Sequence, residues 1–214
     1  MRTLVFNLAI LMLVGCSSGS ARSSPEERFW RWFQANDTKL FDFEANQEKV
    51  FDELQAELHK VNSGLTFEFG PKENGVRDFV ISADGIKDVF PAVISLANAA
   101  PTLPRWKVIK FRPRRGLGPI SLNGLKLSPE QLDFTIEPDG SKVAITLFMD
   151  GYRESEHDRY AGVGFLMLDQ ALGEYDIETK VGGIDFKARS EKSKLPKHAF
   201  SELAAVFDKF EKTR

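Results

Sequence analysis

The sequence predicts an α+β fold: two ββα(β) units contribute strands to a mostly antiparallel sheet, with helices packed mainly on one face. Three observations support this. Residues 65–71 (LTFEFGP) and 132–138 (LDFTIEP) both alternate apolar and polar residues and stop at a proline, as a half-buried strand does. Each is followed by a dipeptide that accepts the positive φ of a tight hairpin, Asn74-Gly75 or Asp139-Gly140. A second alternating run follows, Phe79, Ile81 and Ala83 in one unit and Ile145, Leu147 and Met149 in the other, ending in Asp84-Gly85 and Asp150-Gly151. Beyond these, Val89, Val93, Leu96 and Ala100 keep the spacing 4, 3, 4, as do Ala161, Phe165, Leu168 and Leu172. That spacing draws one apolar stripe along a helix. The units span about 64–112 and 131–187, and two of them are expected to share one core as a pseudo-symmetric pair rather than a solenoid.

The elements follow in order. Met1-Arg2-Thr3 and the apolar run 4–14 have the charge and length of a secretory leader and fall short of the roughly twenty residues of a membrane span. Leu13-Val14-Gly15-Cys16 resembles the bacterial lipobox. That resemblance implies a signal peptide over 1–15, a diacylglyceryl thioether on Cys16 and acylation of the new N-terminus, enough chains for stable anchoring. With Ser17 after the cysteine, it implies an outer-membrane lipoprotein facing the periplasm. Residues 16–25 read as a flexible Ser/Gly tether, and 26–214 as one domain. Pro25-Glu26-Glu27 can open a helix. Its Phe29, Trp30, Trp32 and Phe33 staple it onto the domain or, with Arg28 and Arg31, sit at a bilayer interface. A second helix runs from about 45 to 61 on Val50, Leu54, Leu58 and Val61.

Strands led by Trp106 and by Tyr175 are expected to close the two units, the second continuing to Phe186 with a bulge or turn at Gly182-Gly183. Between the units lies the most basic stretch, in which Arg112, Arg114 and Arg115 suit either a small anion or a solvated linker. It lacks the spacing of a phosphate-binding glycine loop. The second unit carries about six extra residues in the charged segment 152–158. A last helix is expected over 196–212.

Composition narrows the function classes. The formal charge of −2, falling to −3 without Arg2, gives no bulk attraction to nucleic acid. One cysteine excludes a disulfide framework. His59, His157 and His198 are isolated, and there is no zinc-binding histidine pair or nucleophile elbow. No catalytic residue, metal or cofactor is predicted.

Several phrases, among them Phe29-Trp30-x-Trp32-Phe33, Phe90-Pro91-Ala92-Val93, residues 99–106, Phe111-Arg112-Pro113-Arg114 and residues 172–176, resemble those of an uncharacterised bacterial lipoprotein family. That resemblance implies no mechanism. The ββα(β) layout is also similar to ferredoxin-like modules such as the type B regulator of ribonuclease E, in topology alone. The expectation is a lipid-anchored, non-catalytic binding module whose partners are the membrane, through its anchor, and an unknown protein, with no nucleic acid. The alternatives are a small-anion-binding protein using Arg112, Arg114 and Arg115, or a cytosolic regulator if the leader is misread.

Overall fold

The computed structural model describes residues 23–212. Helix α1 (Pro25–Ala35) opens with a capping box: Ser24 and Glu27 each accept the other's backbone N–H at 3.1 Å, and proline occupies the first turn. Its aromatic face turns inward. Phe29, Trp30 and Phe33 are buried, and the Trp30 indole N–H donates to the Leu96 carbonyl at 2.8 Å. Of the two expected fates for these rings, docking onto the domain is the one observed. The short helix α2 (Asp37–Phe41) and α3 (Gln47–His59) follow, α3 burying Val50, Leu54 and Leu58.

Two larger sheets are built by the same order of connections. In the first, β1 (Thr66–Glu73) and β2 (Val76–Ser82) form a hairpin through Asn74-Gly75, both at positive φ. Helix α4 (Phe90–Asn98) then crosses over, and β3 (Trp106–Lys110) pairs parallel to β2. In the second, β6 (Leu132–Asp139) and β7 (Lys142–Met149) make the hairpin. Helices α5 (His157–Leu172) and α6 (Glu174–Lys180) cross over, and β8 (Val181–Ala188) pairs parallel to β7. The register of β8 skips Gly182, the bulge expected there. A short strand β9 (His198–Ala199) lines the far edge on β6, and α7 (Leu203–Lys212) closes the chain.

The fold is α+β and antiparallel pairs outnumber parallel ones, but the expected common sheet does not form. The strands fall into an order β1-β2-β3, an order β8-β7-β6-β9 and a separate hairpin of β4 (Ile120–Leu122) and β5 (Leu125–Leu127). Each crossover returns its last strand to the second strand of its own hairpin, so each unit completes a sheet of its own around β2 or β7, and no outer strand of one pairs with an outer strand of the other. The cores separate accordingly. Phe67 packs in an aromatic interior with Phe79, Phe33 and Trp106, whereas Phe134 belongs to another with Leu147, Met167 and Phe200. In the first, Phe33 lies 5.0 Å from both Phe79 and Trp106 between ring centroids, within the range of favourable aromatic pairing.

Three local expectations also give way. Residues 174–180 are helix rather than strand, because Gly173 at φ +78° breaks α5 and starts a new turn with Glu174 and Ile177 facing inward. The last helix begins at Leu203, not 196, since His198 and Ala199 are taken by the sheet edge. Phe165, expected on the buried stripe of α5, is 50 % exposed; Ala161, Leu168 and Leu172 of that stripe are buried, and Val163, Met167 and Ala171 join them. Among the described residues no helix is long and apolar enough to cross a membrane.

Candidate functional site

The two halves meet where the basic stretch crosses α5 and α6, and the meeting point is organised by one carboxylate. Glu174 is 1 % exposed. Its Oε1 accepts the backbone N–H groups of Ala83 (2.9 Å) and Gly85 (3.1 Å). Its Oε2 accepts the Ser82 hydroxyl (2.8 Å) and the Arg112 backbone N–H (2.9 Å). Its own N–H donates to the Arg112 carbonyl at 3.0 Å. Four donors from the first half thus satisfy a buried charge of the second, which is the condition for burying a carboxylate at all. Beside this latch, Tyr175 packs on Phe111 and Phe90 with ring centroids 5.2 and 6.0 Å away. Gly173 is required here: a Cβ would lie 3.0 Å from the Arg112 carbonyl and the Arg114 nitrogen.

All three arginines of the basic stretch reach this junction, and all three are engaged by carboxylates. Arg112 donates from Nε to Asp169 (3.0 Å) and from Nη1 to Asp84 (2.9 Å) and Ser82 Oγ (3.1 Å). Arg114 points away, toward α7, with two bonds to Asp208 (2.8 and 2.9 Å), one to Asp176 (2.7 Å) and one to the Leu172 carbonyl (3.1 Å). Its guanidinium holds the Asp208 carboxyl below the usual carboxylate range. Arg115 pairs with Glu68, and its backbone N–H donates to Gln170 O at 2.9 Å. An anion entering here has to compete with carboxylates already in place, and Arg112 shares a small hollow with Arg114 and a larger space with Arg115.

That space is a cleft of about 530 Å³ between the halves, in the size range of small-molecule sites. Its lining includes the apolar Phe165 and Leu166 of α5 and Ile120 of β4, together with Asp84, Gly85 and Glu178. Glu68 and Asp169 also line it, and burial pushes the Asp169 carboxyl above its ordinary range. The latch lies in the cleft wall, so the interaction that joins the halves also shapes the cavity.

Glu174 and the apolar wall were not predicted. Glu174 falls within the phrase 172–176 that carries the family resemblance, but nothing local gives it a role, since its partners lie 62 to 92 positions away. The β4–β5 hairpin was not predicted either, although Ile-Ser-Leu-Asn-Gly-Leu-Lys-Leu over 120–127 is an alternating run about an Asn-Gly turn.

The charged segment 152–158 holds a smaller network. The Tyr152 hydroxyl donates to Glu154 at 2.8 Å and lies 2.9 Å from His157 Nδ1. Burial and Glu154 push the Tyr152 hydroxyl up to about 12, well short of serving as a base at neutral pH. Among the described residues no group of three or more His, Asp or Glu side chains is placed to hold a metal ion. Cys16, its leader and most of the tether lie outside the described residues.

No known protein family, curated protein or solved structure matches this chain.

Proposed function

We propose that the protein is a lipid-anchored, non-catalytic binding module of the bacterial envelope, held by acyl chains on Cys16 at the outer membrane and facing the periplasm. Its binding site on this reading is the cleft between the two halves. The observation that carries it is the latched junction: Glu174 fixes the halves around a cavity whose one wall is exposed apolar side chains on a regular helix. Rigid walls of this kind favour binding because little order has to be imposed when a partner arrives. The lipobox-like Leu13-Val14-Gly15-Cys16 supports the anchor.

Fractionation of cells expressing the full chain or Cys16→Ala, with and without globomycin-type inhibition of lipoprotein processing, tests the anchor. The parent is expected with the membranes and the variant displaced from them; a parent found in the cytosol favours a cytosolic regulator. The cleft is tested by crosslinked capture from the envelope, comparing the parent with Phe165→Ala. A partner retained by the parent and lost by the variant supports the site. Turnover of a substrate by the purified protein, abolished by changing one cleft residue, refutes the non-catalytic reading.

A further inference from the structure

The chemistry of the cleft points to a class of ligand. Five carboxylates line it, Glu68, Asp84, Asp169, Glu174 and Glu178, against the two guanidinia of Arg112 and Arg115. Both guanidinia are already paired within the chain, and Glu174 is satisfied by four neutral donors, one of them the Arg112 backbone N–H. Glu178 has the weakest provision. Its nearest cation is the half-exposed Lys87 at 3.6 Å, and its carboxylate sits over Gly85, where an added Cβ would be 3.3 Å from Oε1. The turn that bears Gly85, at φ +77°, therefore leaves room for this charge at the cleft mouth. The same cleft is lined by Phe165, 50 % exposed, and Leu166, 44 % exposed, large apolar side chains left partly in water by a chain that buries most of its others. A surplus of negative charge between walls of low dielectric attracts cations, and the apolar wall adds contact for a hydrocarbon group.

Resting on the cleft as the binding site, we infer that it receives a small organic cation in which a protonated amine or guanidinium is joined to an apolar group. The charge is met by Glu178 and Asp84, and the apolar part lies against Phe165 and Leu166. A free amine and the basic side chain of a short peptide share this chemistry.

Isothermal titration calorimetry on the full chain separates the sources and tests the class. The probes are phenethylamine, acetyl-phenylalanyl-lysine amide, 3-phenylpropionate with a carboxylate in place of the amine, and inorganic phosphate. Saturable binding of phenethylamine alone identifies a free amine, and binding of the dipeptide amide alone identifies a peptide; either supports the inference. Affinity is expected to fall with added salt. Glu178→Gln is expected to weaken it about two- to fivefold, and Phe165→Ala about fivefold. Both positions are solvent-facing, and unchanged urea midpoints for the variants show that folding is not the cause. The inference is overturned if neither amine binds at millimolar concentration, if phosphate or phenylpropionate binds as tightly, or if both variants bind like the parent. Phenylpropionate binding that is lost in Phe165→Ala overturns the cation but keeps the cleft as a binding site. Envelope capture that survives Phe165→Ala, together with no probe binding, overturns both.

Discussion

Glu174→Ala removes the acceptor for four donors at once: the N–H groups of Ala83, Gly85 and Arg112, and the Ser82 hydroxyl. Leaving a buried donor unpaired costs about 1–3 kcal/mol each. The full sum is not expected, because the residue borders the cleft and water can enter the space vacated. A loss of roughly 3–5 kcal/mol is the expected outcome, the size seen when one partner of a buried charged network is deleted. That is a large part of the total stability of a typical domain, about 5–15 kcal/mol. Glu174→Gln keeps the shape but turns an NH₂ group toward two of the four donors, so about 2 kcal/mol is expected. Urea unfolding followed by circular dichroism and by tryptophan fluorescence measures both. The tryptophans Trp30, Trp32 and Trp106 all belong to the first interior or pack against it, so fluorescence reports that half alone. In Glu174→Ala the two probes are expected to part, because the halves keep separate interiors and lose their main polar tie. A variant within about 1 kcal/mol of the parent, with coincident transitions, refutes the latch.

Other perturbations test other joints. Gly164→Ala drives a Cβ into Cε1 of the Phe186 ring, with Cδ1 and Cζ at 3.1 and 3.2 Å, so the ring or α5 has to move; a loss of about 1–3 kcal/mol in urea unfolding is expected. Arg114→Ala frees Asp208, leaves Asp176 with Lys180 alone and removes the donor to the Leu172 carbonyl; with both carboxylates partly in solvent, about 1–2 kcal/mol is expected by the same assay. Glu44 answers to pH. Its hydrogen bond from the buried Arg77 lowers its carboxyl from 4.5 to about 2, so the stability it contributes is present above pH 4.5 and is lost as pH falls toward 2. Urea midpoints measured from pH 6 to pH 2 are expected to fall less steeply in Glu44→Gln than in the parent.

Much of the local structure was legible, for reasons that act over a few residues. Pro25, Glu26 and Glu27 carry a helix start because the proline ring presets φ where no N–H partner is needed and the acids sit at the positive end of the helix. Asn74-Gly75 carries a hairpin because both residues accept positive φ. Gly182 announces a bulge because a residue without a side chain weakens a ladder at that point. Periodicity failed where two periods agree. Tyr175 and Ile177 alternate as in a strand, yet Gly173 had already set the chain on a new helical turn. Phe165 has the spacing of a core residue, yet it stays half-exposed while Ala161, Leu168 and Leu172 of the same stripe are buried.

By itself the sequence determined the α+β class, the two hairpin-helix-strand segments and the caps and turns that bound them, since these depend on backbone preference and on side chains within a turn or two. Only the tertiary structure decided that the segments form two sheets with two interiors, because strand partnership depends on which edges remain free once each crossover has closed. It also decided the site. A glutamate becomes a latch only when donors 62 to 92 positions away converge on it, and a phenylalanine becomes a cleft wall only when the helix carrying it is turned outward at the junction.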